Sequence, residues 1–164
     1  MANLRDIKKR ISSVTTTKQI TRTMEMVSTA KIRRALDRSK QAEPYKEALT
    51  DVMLTVAGDA SCSGTDPMLQ KHESVKHGLI VVIASDRGLA GGYNANVLKL
   101  AAQESGNVEV LPIGKRSAEY FAHHEAELFT QEVLLAADVS VGQCFQLARQ
   151  ITEGYRKGEF DAVK

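Results

Sequence analysis

Between Met1 and Ala57 the chain contains no glycine, and its one proline there is Pro44. Glycine and proline are the residues that most disfavour a helix interior. Their near absence predicts one very long helix over residues 1–57. At a rise of 1.5 Å per residue it would span about 80 Å, far beyond the roughly 11–12 residues of an average globular-domain helix. Leu4, Ile7, Ile11 and Val14 follow the 3-4-3 spacing of a coiled-coil seam. Tyr45, Leu49, Val52 and Val56 repeat the spacing at the far end, offset by about one position, so a stutter or drift lies between them. A lone helix cannot bury such a stripe, and the sequence offers no second long heptad segment. The partner is therefore expected on another chain, or on a helix missing from this one. Pro44 is expected to bend the helix, the alternative being a break at 43–44.

The middle of this helix is unusual. Thr15, Thr16, Thr17, Thr21, Thr23, Ser28 and Thr29 are indifferent helix formers, and the sizeable apolar groups among them are Ile20, Met24, Met26 and Val27. Small hydroxyls and pliable methionines suit a surface that must not adhere strongly to any one neighbour. Charge is polarised as well. Residues 1–40 hold eleven Lys/Arg against three Asp/Glu, a net of +8, whereas the remaining 124 hold eleven against seventeen, a net of −6. A basic arm on an acidic body predicts an anionic partner for the arm: nucleic acid, lipid or an acidic protein surface.

Residues 58–74 read as a linker, with Gly58, Ser61, Ser63, Gly64, Asp66 and Pro67. The pattern then changes. Leu79–Ala84 is a continuous apolar run, as in a strand buried on both faces. A Gly-rich turn follows over Ser85–Tyr93, then a helix over Asn94–Glu104, a strand over Val108–Ile113 and a short helix over Lys115–His124. Glu127–Val133 is a candidate third strand and Ser140–Arg156 a helix, with a further strand beginning after Gly158. Alternation of strands and helices predicts an α/β fold: a long N-terminal coiled-coil-type helix followed by a Rossmann-like three-layer α/β sheet domain over 75–164. That domain is expected to be truncated, because the sequence stops as a strand begins.

Chemistry-bearing motifs are sparse. The turn Ser85-Asp86-Arg87-Gly88-Leu89-Ala90-Gly91-Gly92-Tyr93-Asn94 joins a strand to a helix, where a phosphate could sit. Its glycines do not match G-x-G-x-x-G, and no P-loop lysine follows. The expectation is a tight structural turn with glycine at positive φ, in which Asp86 or Asn94 caps and Arg87 pairs locally. Gly114-Lys115-Arg116-Ser117 could hold an anion but reads more simply as a solvated turn. Cys62 and Cys144 stand far apart, and His72, His77, His123 and His124 lack metal-site spacing, so no metal and no cofactor are expected. No apolar run approaches the roughly 20 residues needed to span a bilayer. Two other function classes remain in view: a nucleotide-binding α/β enzyme with a helical dimerisation arm, and a basic-helix nucleic-acid module.

Two long stretches carry a resemblance. Residues 4–35, from Leu4-Arg5-Asp6-Ile7 through Ile20-Thr21-Arg22-Thr23-Met24-Glu25-Met26-Val27 to Lys31-Ile32-Arg33-Arg34-Ala35, closely resemble the opening helix of the F-type ATP synthase gamma subunit. Ser85-Asp86-Arg87-Gly88-Leu89 and Gly91-Gly92-Tyr93-Asn94 resemble the same family's S-D-R-G-L-C-G-G-[FLY]-N signature. Ile113-Gly114-Lys115 and the Tyr120-Phe121 pair fit its I-G-x-K-x-x-x-F-F region loosely. Departures are small: Thr23 stands where alanine is usual, Lys18-Gln19 inverts the commoner order, and Ala90 replaces cysteine.

The resemblance implies a mechanical role. Family members are the central rotor stalk of the synthase, and they transmit rotation of the membrane c-ring to the catalytic alpha3-beta3 head without being catalytic themselves. Their long C-terminal helix pairs antiparallel with the first, which accounts for the unpaired seam here. Implied partners are the alpha, beta and epsilon subunits and the c-ring, with no nucleic acid, and with membrane association only through that ring. The implied setting is peripheral, at the cytoplasmic face of a bacterial plasma membrane. By the motif match, Met24 occupies the family's coupling position, and Arg22, Lys31, Arg33 and Arg34 are neighbours of an acidic loop on the beta subunits.

Overall fold

The computed structural model describes residues 3–59, 66–70, 72–104, 106–137 and 139–164. The chain divides into two compact units, Met1–Ala60 and Ser61–Lys164. The first is a single helix, α1 (Leu4–Gly58), 55 residues long. Asn3 caps its start, the side chain accepting a hydrogen bond from Arg5 N. The helix runs through Pro44 without a break, which excludes the alternative of a break at 43–44. It buries none of its residues: Leu4, Ile7, Ile11, Val14, Leu49 and Val52 are all exposed.

Of the predicted linker, residues 60–65 and 71 lie outside the described residues, Cys62 among them. A 3-10 turn at Pro67–Leu69 is capped by Asp66, which accepts from Met68 N at 2.9 Å. Arg156 pairs with the same carboxylate at 2.9 Å.

The second unit is built on β1 (His77–Ile83), β2 (Asn107–Ile113) and β3 (Ala162–Val163), a parallel sheet in the order β2-β1-β3. Register places Ile80 beside Val110 and Val82 beside Pro112, with Leu79 between Glu109 and Val163. Between the strands come α2 (Tyr93–Ala102), α3 (Lys115–His123) and α4 (Val141–Lys157). Alternation along β1 explains its unbroken apolar run. Ile80 and Val82 enter one core with Val110, Leu98 of α2 and Phe121 of α3. Leu79 enters a second core with Leu111, Leu134 and Phe160, against which Leu147, Ile151 and Tyr155 of α4 pack. A central strand buried on both faces needs apolar side chains at every position, and the three-layer α/β expectation is met.

One element differs. Glu127–Val133 forms no regular strand; Leu128 within it and Leu134 just after it meet β2 as single parallel bridges. The Thr130 hydroxyl oxygen accepts a hydrogen bond from Glu132 N at 3.1 Å, and this local turn lifts the intervening residues off the ladder. The third strand is Ala162–Val163, on the other side of β1.

At the end of α4, Gly158 adopts the left-handed conformation (φ 73°) and stops the helix. One turn earlier, Gly154 is buried; a β-carbon there would lie 2.8 Å from the Phe160 ring and from Glu159 Oε2. Gly154→Ala is therefore expected to displace Phe160 from the second core and cost about 1–3 kcal/mol, read by urea unfolding.

Glu109 lies half-buried on β2. Burial raises its pKa, the charges of Glu127 and Glu159 raise it further, and His77 partly offsets them. The ionised group therefore costs stability as pH rises from the ordinary value of 4.5 through the raised folded value. Glu109→Gln is expected to raise Tm at pH 7 by on the order of 1–3 °C. Below pH 4.5 the protonated glutamic acid and glutamine should unfold alike.

Candidate functional site

The residues singled out on α1 lie on its exposed surface. With about 100° of rotation per residue, Met24 and Lys31 fall within about 20° of each other, and Ile20 and Val27 flank them. Arg22 and Arg33 fall on the opposite side with Met26, and Arg34 lies between the two groups. The five residues therefore do not form one patch. Met24 and Lys31 belong to a mixed apolar and cationic face, whereas Arg22, Arg33 and Arg34 line one shallow groove with Glu25, Thr29 and Asp37.

The Gly-rich turn folds as a knot at the carboxyl end of the sheet. Asn94 Oδ1 accepts from Ser85 N at 3.0 Å, and the Ser85 hydroxyl lies between Asn94 Oδ1 and the Arg87 carbonyl as acceptors. Asn94 thus closes the turn rather than capping α2, whose N-cap is Gly92 with no side-chain bond. The Tyr93 hydroxyl donates to the Ile83 carbonyl at 3.0 Å, fastening the start of α2 to the end of β1.

Asp86 does the most connecting. Its Oδ1 accepts from Lys115 N (3.2 Å) and Ala136 N (2.9 Å), and its Oδ2 accepts from Ala137 N (2.8 Å). One carboxylate thereby joins the end of β1, the start of α3 and the segment before α4. Partial burial opposes its ionisation. The three backbone donors and the charge of Arg87 outweigh that burial, so its pKa is held below the ordinary 3.8.

This geometry answers the anion question at Gly114–Ser117. The N-terminus of α3 is already occupied by the chain's own Asp86 carboxylate, and Arg116 N donates to Ser85 O at 3.1 Å. The side chains of Lys115 and Arg116 pair with Glu119 at 3.9 and 3.1 Å. Gly114 is obligatory: it has φ 97°, and a β-carbon would lie 2.0 Å from the Ala84 carbonyl oxygen. Buried Ser117 satisfies its hydroxyl on the Ile113 and Gly114 carbonyls, both at 2.8 Å.

Two features of the turn escape sequence reasoning. Leu89 adopts φ 62° and is 95% exposed, although leucine has no preference for that conformation. The Ala136 and Ala137 amides enter the site from 50 residues downstream, with no side-chain signature at all. Of the turn's other glycines, Gly91 takes positive φ and Gly92 does not, while Gly88 sits against Arg116 with a β-carbon position 3.6 Å from its guanidinium.

The histidines stay apart from this knot. His72 meets Tyr155 edge-on, His77 Nδ1 contacts the Glu159 carbonyl, and His124 stacks on Tyr120. Among the described residues no three metal-ligating side chains converge, and Cys144 is exposed on α4. No helix of the described residues is long and apolar enough to cross a membrane.

Comparison with known proteins is consistent along the whole chain. A family model described as ATP synthase matches residues 3–164. The ATP synthase gamma chain of Ruminococcus albus is 36% identical over 171 residues, covering 100% of this chain and 59% of the relative. That of Desulforamulus reducens is 39% identical over 166 residues, covering 99% and 58%. That of Geobacter metallireducens is 38% identical over 170 residues, covering 99% and 58%. The chain thus spans a little under three-fifths of the length of these curated relatives.

Asp86→Ala leaves three amides without their acceptor and is expected to destabilise the α/β unit by about 2–4 kcal/mol in urea unfolding. The wild-type contribution is complete above pH 3.8 and is lost as pH falls through the lower folded value. Asp86→Asn, which cannot ionise, should show no such loss across that window.

Proposed function

Since the chain belongs to the ATP synthase gamma-chain family, we propose that it works as part of the central rotor stalk of an F-type synthase. In this reading residues 1–57 form one half of an antiparallel coiled-coil shaft. The remainder, a linker over 58–74 and the α/β domain from 75, is the foot that meets the c-ring and the epsilon subunit. Rotation of the ring turns the shaft, and the shaft acts on the alpha3-beta3 head, where catalysis takes place. The protein itself is non-catalytic and sits peripherally at the cytoplasmic face of a bacterial membrane.

One observation carries the proposal. A 55-residue helix keeps its whole apolar seam in solvent, in a chain whose relatives are gamma chains. Such a seam is stable in water only when a mate covers it, and a rod about 80 Å long suits torque transmission better than ligand binding. The signature turn supports the reading in a different way. Its carboxylate, amide and hydroxyl groups are engaged within the chain, so it braces the sheet instead of offering a nucleotide cradle. The net charge of +8 on residues 1–40 complements an acidic surface on the beta subunits.

The test is made in the assembled synthase. Met24→Lys adds a cation at a moving contact, where a new ion pair would have to break on every turn. Proton pumping is expected to fall on the order of tenfold while ATP hydrolysis stays within about twofold, with the subunit still incorporated. Equal loss of both activities in a correctly assembled complex contradicts the coupling role. The chain alone is expected to bind neither ATP nor NAD in calorimetric titration; saturable binding would favour the nucleotide-binding enzyme instead.

A further inference from the structure

Half of the residues between Ser12 and Thr29 are serine or threonine, nine of eighteen. Five of their hydroxyls donate back into the helix within a short stretch. Thr15, Thr16 and Thr17 bond the carbonyls of Ile11, Ser12 and Ser13 at 2.9, 3.1 and 3.0 Å. Thr21 bonds Thr17 O at 2.9 Å, and Thr23 bonds Ile20 O at 2.7 Å. Each of these carbonyls is also an acceptor in the helical ladder, so hydroxyl and amide compete for it. Such sharing slightly destabilises helices and often bends them. Further along α1 the same bond occurs only singly, at Thr50 and Thr55.

We propose that residues 12–29 are a mechanically soft stretch of α1, a built-in compliant segment. Three consecutive carbonyls lie about 100° apart around the axis, so the ladder is loosened around the helix and not on one face. A ladder loosened all round yields to twist as well as to bending. The intrinsic propensities act in the same direction, since threonine and serine are weaker helix formers than alanine. The adjoining stretch 30–43 is rich in Ala, Lys, Arg, Leu, Gln and Glu, which resist deformation. The inference concerns α1 itself; its test rests on the coiled-coil reading above, and incorporation of the labelled chain into the complex separates failure of that reading from failure of this one.

The experiment measures distance distributions by pulsed electron paramagnetic resonance with the protein assembled in its complex, where the seam of α1 is covered. Spin labels are placed at Lys9→Cys and Lys31→Cys in a Cys62→Ser/Cys144→Ser background. A straight helix separates positions 22 residues apart by about 33 Å. The parent chain is expected to give a broad distribution centred below that span. Replacing Thr15, Thr16, Thr17, Thr21 and Thr23 together by alanine should narrow it and move it toward the straight-helix value. Replacing the same five by valine removes the hydroxyls but keeps the β-branch, and should narrow it too. A valine variant with the parent's width would overturn the proposal, because softness would then not come from the back-bonded hydroxyls. A parent distribution already as narrow as the alanine variant's would overturn it as well.

Discussion

A single helix has no interior. Fifty-five residues of α1 present every apolar side chain to solvent, and helix propensity alone gives little stability in water without packing along one face. That constraint organises the first unit. The apolar seams at both ends of the helix therefore enter no core within this unit. The second unit meets the opposite requirement. Its central strand β1 is covered on both faces, with Leu79 wholly buried on one side and Val82 nearly so on the other.

The signature turn joins local chemistry to this sheet. Its segment reads like a ligand loop: small, glycine-rich and placed between a strand and a helix. Its polar groups are nonetheless spent internally. Asp86 is an anion at the N-terminus of α3, a kind of position that favours negative charge. The chain supplies its own carboxylate there and uses the other oxygen to hold Ala137. The turn therefore works as a brace that locks β1, α3 and the approach to α4 into one piece.

Legibility in the sequence was uneven, for physical reasons. The long helix is legible because absent glycine and a 3-4 apolar spacing are local signals, and a helix with no buried residue has no packing within the unit to override them. The double-sided burial of Leu79–Ala84 was readable from its unbroken apolar run. The composition of 127–133 suits a strand, whereas the turn at Thr130 that interrupts it depends on a single hydroxyl. Of the two cap candidates, Asp86 binds the first amide of α3 and Asn94 holds Ser85, since cap and turn roles use the same side-chain oxygens. The five residues chosen on α1 by family likeness separate onto different faces once the helical phase is applied.

What the sequence determined by itself is the rod and the layer order, because both follow from periodicities of 3.6 and 2 that a chain carries wherever it goes. What only the tertiary structure decided is the bracing of the sheet. The Asp86 contacts reach across 29 to 51 residues to bare backbone amides, and a backbone amide has the same appearance at every position of a sequence. The place of Gly154 under Phe160 is of the same kind. Close approach is a property of two segments together, and neither one encodes it alone.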